Sequence, residues 1–149
     1  NKDQIFVAKR IDLKDGIIPN LTDSDKFWQM PQGGIDKNEN FLEAAKRELK
    51  EETNVKSTKL IKEIDGWLKY YFPPVLQKKL WNGRYAGQKQ KWFIMRFLGN
   101  DQEINIKTKH PEFLDWKWIE ISKLTGIAID FKVHIYKKIV EELNFLNFN

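Results

Sequence analysis

The sequence predicts an α+β domain in which a mixed β-sheet lies between helices, an α-β-α sandwich. Three observations lead there. Short apolar runs bounded by turn residues recur along the chain. Two segments carry helical periodicity. The aromatic content, ten Phe, six Trp and four Tyr in 149 residues, is enough for one sizeable core. The chain therefore reads as a single domain over residues 1–149.

Taken in order, Gln4 to Lys9 contains the apolar run Ile5 to Ala8 and reads as a buried strand. A polar stretch from Asp12 to Lys26, with Gly16, Pro19 and Asn20, reads as a loop long enough to border a substrate entrance. Asn40 is placed to cap a helix over about Phe41 to Thr53, with Glu43 reaching back to complete a capping box. Leu42, Ala45 and Leu49 form its apolar stripe. Lys59 to Ile64 and Gly66 to Phe72 read as strands, the second broken by Pro73-Pro74. Lys91 to Leu98 is the clearest strand, and Phe113 to Ile119 alternates so that Trp116 and Trp118 share a face. The tail forms a second helix capped by Asp130, with Val133, Tyr136, Ile139, Val140 and Leu143 as its apolar side.

Several functional classes are excluded early. No run has the apolar length of a membrane span, and no signal-peptide pattern is visible. With no cysteine there is no disulfide framework and no thiolate zinc site. The cytoplasm is the simplest location, with export left open. His110 and His134 have neither metal-ligand nor triad spacing, and no phosphate-cradling Walker loop is present. The formal charge is +5, which suits a polyanionic partner.

Chemistry concentrates in residues 33–55, GGIDKNENFLEAAKRELKEETNV. On the expected helix Glu48, Glu51 and Glu52 stand at i, i+3 and i+4 and share a neighbouring face. Three crowded carboxylates repel one another unless a cation neutralises them. Oxygen ligands without cysteine favour Mg²⁺, or Mn²⁺ or another hard divalent cation, over zinc. Arg47 is close enough to steady a carboxylate. A solvated charged face is the plain alternative for such a string, and the glycine pair, Glu39 and the fixed spacings together argue against it.

From Gly33 the pattern runs through Glu39, Arg47-Glu48, Leu49, Glu51-Glu52 and Val55. It resembles the signature of the Nudix hydrolases, G-x5-E-x7-R-E-U-x-E-E-x-G-U with U aliphatic. Asn54 stands where the signature has its last glycine, and asparagine is the next best residue for a left-handed helix end. Further blocks follow in order: Trp28 to Ile35, Trp67 to Tyr70, Gly87 to Phe93, Asp101 to Asn105 and Pro111 to Phe113. They are similar to the branch containing bacterial RNA pyrophosphohydrolases, asymmetrically cleaving dinucleoside tetraphosphate hydrolases and invasion-associated proteins. The branch usually has one more strand before Gln4, so an N-terminal segment is expected outside this numbering.

The resemblance implies a metal-dependent hydrolase. Glu48, Glu51 and Glu52, a carbonyl near Gly33 or Gly34, and Glu112 would hold the cation. Glu51 or Glu112 would take a proton from water, so that Glu51, Glu52 and Glu112 form the catalytic set. Arg10, Tyr70, Phe131 and Lys132 would hold the substrate. Removal of pyrophosphate from the 5′-triphosphate end of RNA is the leading reading. Cleavage of a dinucleoside polyphosphate such as diadenosine tetraphosphate into ATP and AMP is the alternative. A binding module without catalysis is remote, since such a module would tolerate loss of the glutamates that are all present here. Trp28, Trp92, Trp116 and Trp118 are expected in the core rather than stacked on bases.

Overall fold

A computed structural model describes residues 3–11, 28–79 and 81–146. The expected entrance loop from Asp12 to Lys26 lies outside them. Strand β1 (Gln4–Arg10) runs antiparallel to both β2 (Trp28–Gln29) and β7 (Phe113–Glu120). Val7 faces Lys117, whereas Arg10 faces Phe113, so the register slips by one residue between Lys9 and Arg10. A bulge of this kind turns the strand and re-aims the side chain beyond it, here Arg10.

Two more antiparallel pairs complete the β structure. Strand β3 (Thr58–Glu63) pairs with β6 (Phe93–Phe97), and β4 (Leu68–Tyr71) pairs with β5 (Gly87–Gln90). Between β4 and β5 lies a short helix α2 (Pro74–Lys79), absent from the sequence expectation. The proline pair ends β4, but Pro74 also opens α2, because a first helical residue has no use for its N–H.

Helix α1 (Phe41–Thr53) has the expected bounds. Asn40 Oδ1 accepts from the Leu42 N–H at 2.9 Å and the Glu43 N–H at 3.4 Å. The expected capping-box reach of Glu43 gives way to a contact with Lys46 at 3.9 Å. The far end closes on Asn54, whose φ of 63° is left-handed and whose N–H donates to the Lys50 carbonyl at 2.8 Å. The apolar stripe is displaced from expectation: Leu42, Ala45 and Leu49 are half-buried, while Ala44, Glu52 and Thr53 are the deepest residues.

Helix α3 (Val133–Phe145) seals the other side of the core. Ile135, Tyr136, Ile139 and Leu143 bury against a cluster containing Val7, Met30, Ile64, Leu76 and Ile94. Val133 and Val140 are only partly buried. Asp130 is not its cap. It opens a 3-10 turn, Asp130–Lys132, and Lys132 enters α3 already in helical conformation. The tighter turn satisfies N–H groups that a capping side chain would otherwise serve, as the Lys132 N–H does with the Ile129 carbonyl at 2.8 Å. Trp28 and Trp92 are buried as expected. Trp116 and Trp118 are half-buried and do share a face, since both meet the Phe6 ring.

Candidate active site

The turn from Gly33 to Glu39 is tied to α1 by one guanidinium. Arg47 Nε donates to Glu39 Oε1 at 2.8 Å and its Nη2 to Glu39 Oε2 at 2.9 Å, a bidentate pair. The same Nη2 donates to the Gly34 carbonyl at 2.8 Å, while Nη1 reaches Glu48 at 2.9 Å and Glu51 at 3.2 Å. Glu39 in turn accepts from the Asp36 N–H at 3.0 Å. The Arg47 hydrogen bonds and the Asp36 N–H hold the Glu39 carboxyl down at about 2, and the carboxylates push the Arg47 pKa above its already high value. Glu48 lies so close to Gly33 that a Cβ there would overlap its carboxylate, which explains glycine at that position. At Gly34 a Cβ would meet open space.

One turn further on, the electrostatics reverse. Glu52 is only 2% exposed, and neither carboxylate oxygen has a hydrogen-bond partner. Burial raises its pKa most, followed by the facing Glu112 and then by Glu48, pushing it up to about 9. Nearby backbone of Gln32 offsets only part of this. Glu112 sits where β7 begins, and its carbonyl accepts from the Ile11 N–H at 2.9 Å, so the end of β1 fixes the loop that brings it to Glu52. Glu51 is the outlier of the three helix glutamates, with its side chain 59% exposed beside Arg47.

The opposite wall of the cleft is amide, aromatic and basic. The Tyr70 hydroxyl donates to Gln88 Oε1 at 2.7 Å, and burial raises its pKa to about 12. Its ring stacks obliquely on Phe131 at 5.5 Å and lies beneath the Lys132 ammonium at 5.0 Å. Lys132 is buried, and its Nζ donates to Gln32 Oε1 at 3.0 Å. Arg10 lies near enough to Tyr70 and Tyr136 to lower the pKa of both against the effect of burial. Arg10, Gly33, Glu48, Tyr70, Glu112 and Lys132 all line one cleft of about 1300 Å³.

Of the residues expected from sequence, Arg10, Gly33, Gly34, Glu48, Tyr70, Glu112, Phe131 and Lys132 line this cleft, Glu52 is buried behind Glu48 and Glu112, and Glu51 is exposed beside Arg47. Sequence reasoning left Gln32, Gln88 and Gln90 without a role and gave Arg47 a minor one. The alternation of Gln88 and Gln90 along a strand was the available signal, since i and i+2 share a face.

Among the described residues no three histidine or acidic side chains form a closed metal cage. The donor chemistry nevertheless fits a hard divalent cation. It is carboxylate oxygen throughout, and Glu52 carries two buried oxygens that lack any positive partner.

The fold and this carboxylate-bearing helix define a NUDIX domain. Residues 1–143 match that family, and the chain belongs to it. Hydrolases of the family generally need a divalent cation. The chain is 54% identical to an RNA pyrophosphohydrolase of Pelagibacter ubique (strain HTCC1062), over 96% of this chain and 85% of that protein. It is 43% identical to an RNA pyrophosphohydrolase of Wolbachia pipientis subsp. Culex pipiens (strain wPip), over 94% of this chain and 80% of the relative. An Ap4A hydrolase from C. elegans, solved as a binary complex, superposes with a TM-score of 0.59 at 18% identity, covering 95% of this chain and 88% of the other. No helix among the described residues is long and apolar enough to cross a membrane.

Proposed function

We propose that this chain removes pyrophosphate from the 5′-triphosphate end of RNA by hydrolysing a phosphoanhydride bond with Mg²⁺ bound at Glu48, Glu51, Glu52 and Glu112, Mn²⁺ being the natural substitute. The observation that carries the reading is Glu52: a buried carboxylate whose oxygens make no well-formed hydrogen bond, set against Glu48 and Glu112, which line a cleft that Arg10 and Lys132 also line. The identity to RNA pyrophosphohydrolases favours RNA ends among nucleoside polyphosphates. The likeness to the Ap4A hydrolase supports the shared fold alone.

A bound divalent cation supplies charge for the phosphate oxygens and lowers the pKa of a coordinated water. The chain's own residues do the rest. Arg47 keeps Glu48 aimed inward and anchors the Gly34 carbonyl, so the glycine turn and the helix hold a fixed separation. Glu52 gives up the proton that its burial favours when a cation takes its place. Glu112, or Glu51 exposed beside Arg47, accepts the proton of the attacking water. Lys132 and Arg10 offset negative charge on the phosphate chain, and the rings of Tyr70 and Phe131 border the first nucleoside. Attack at phosphorus needs no covalent enzyme intermediate.

The test is turnover of triphosphorylated RNA beside diadenosine tetraphosphate, each with and without Mg²⁺. Faster, Mg²⁺-dependent release of pyrophosphate from RNA is expected. Cleavage of the dinucleotide with RNA untouched would transfer the chain to the alternative substrate class.

A further inference from the structure

The amides on the basic wall form a circuit whose direction is forced. At one end the Trp92 indole, which can only donate, donates Nε1–H to Gln90 Oε1 at 3.1 Å. At the other end the Lys132 ammonium, also donor only, meets Gln32 Oε1 at 3.0 Å. Between them Gln90 Nε2 donates to Gln32 Oε1 at 3.1 Å and to Gln88 Oε1 at 3.4 Å, the same oxygen that accepts from Tyr70. Amide oxygens and nitrogens are hard to tell apart by shape, but here two donor-only groups leave one consistent assignment. Turning the Gln90 amide around would set its NH2 against the indole N–H and its oxygen against the oxygens of Gln32 and Gln88.

From this geometry we infer that Gln90, oriented by the Trp92 indole, is a positioning residue for the substrate: it fixes the Gln32 oxygen that holds the Lys132 ammonium on the cleft wall, and turns that wall into a surface of N–H donors that receives a polyphosphate. The inference rests on the reading in which Lys132 meets the phosphate chain. The Gln32 and Gln88 oxygens each accept twice inside the circuit, and the Gln90 oxygen is turned to the indole. The Gln32 and Gln88 amides are thereby left with their NH2 groups rather than their oxygens for an acceptor-rich ligand. Gln90 itself touches no phosphate and acts through Gln32. Tyr70 completes the arrangement, since its protonated hydroxyl donates into the same circuit and its ring lies beneath the ammonium.

The experiment compares Gln90→Met, Trp92→Phe, Lys132→Ala and the double variant Gln90→Met with Lys132→Ala in steady-state cleavage of triphosphorylated RNA. Gln90→Met and Trp92→Phe should each raise KM by roughly three- to tenfold while kcat stays within about twofold, the scale of one well-placed hydrogen bond. The double variant should be no worse than Lys132→Ala alone, because Gln90 works through that ammonium. Additive losses in the double variant, or a fall in kcat at unchanged KM, would overturn the inference.

A second readout needs no turnover. In ¹⁵N-lysine spectra the Lys132 ammonium should give a slowly exchanging signal that disappears in Gln90→Met and in Trp92→Phe. Its survival in both folded variants would also overturn the inference. If the parent protein leaves RNA ends intact, the functional reading falls, and the lysine spectra still decide whether Gln90 positions Lys132.

Discussion

The two walls of the cleft solve opposite problems. On the amide wall the polar contacts interlock: Trp92, Gln90, Gln32, Gln88, Tyr70 and Lys132 are joined by hydrogen bonds before any ligand arrives. On the carboxylate wall Glu52 faces Glu112 and Glu48, and the Gln32 backbone nearby offsets only part of their repulsion. The first wall is ready as it stands and the second is completed from outside. Unsatisfied buried charge is costly in a fold, and retaining it makes sense where a cation is to be taken up. Arg47 marks the border, with its paired carboxylates Glu39, Glu48 and Glu51 on one side and the unpaired Glu52 on the other.

The sharpest way to break this contrast is Glu52→Gln. With Mg²⁺ present, turnover should fall by roughly a hundredfold or more while circular dichroism shows the fold retained. Near-normal turnover in the folded variant would leave Glu52 as mere buried polarity.

Arg47→Lys keeps the charge but loses the bidentate pair with Glu39, and turnover should drop by roughly tenfold. A pH signature accompanies it. Because Glu39 is held at about 2, its contribution to stability is present above its ordinary 4.5 and lost as pH falls toward 2. With a weaker partner the lysine variant has less of this stability to lose, so on acidification below about 4.5 its urea midpoint should fall by less than the parent's and level off at a higher pH.

Arg10→Ala and Lys132→Ala probe the basic wall. Each should slow triphosphorylated RNA by several-fold more than it slows diadenosine tetraphosphate, and added salt should inhibit the RNA reaction more steeply. Equal losses on both substrates would mean that these cations meet only the phosphates common to the two.

Without metal, Glu52 carries a linkage of the opposite sign. Its pKa is raised, so the folded protein keeps a proton that the unfolded chain releases, and stability falls as pH rises from 4.5 toward about 9. Metal-free Glu52→Gln should be more stable than the parent at mildly alkaline pH by roughly 1 to 3 kcal/mol, and Mg²⁺ should stabilise the parent more than the variant. Thermal melts over that pH range, with and without Mg²⁺, provide the check.

The smallest effect belongs to the helix end. Asn54→Gly should lie within roughly 0.5 kcal/mol of the parent, since both residues accept the left-handed conformation, whereas Asn54→Val should cost roughly 1 to 2 kcal/mol. Chemical denaturation resolves the two.

What could be read from the sequence was what is local. The bounds of α1, the Asn40 cap, the left-handed Asn54 and the glutamate spacing all follow from contacts within a few residues. The burial of Glu52 was hidden because polarity normally marks the solvent face, so the apolar stripe was placed one step away from the deepest line of the helix. Pro73-Pro74 signalled the end of a strand but not the start of α2, since proline serves both. The amide circuit was least visible. Its bonds join Gln32 to Gln90 and to Lys132 across 58 and 100 positions, and no periodicity encodes such pairs.

The buried Tyr136 hydroxyl accepts the Met30 N–H at 3.1 Å across 106 positions, directly beside the segment that leads to Gly33. Together with Lys132 it makes completion of the cleft wait for α3. During synthesis the glutamate helix emerges early, yet the ammonium and the phenol that complete the opposite wall arrive only when residues 131–136 have left the ribosome and docked. Contacts of such long sequence separation are expected to make folding slow relative to helix formation. A nascent chain would thus carry its acidic half for some time before it could grip a polyphosphate, and activity should switch on with docking of α3 rather than grow with chain length.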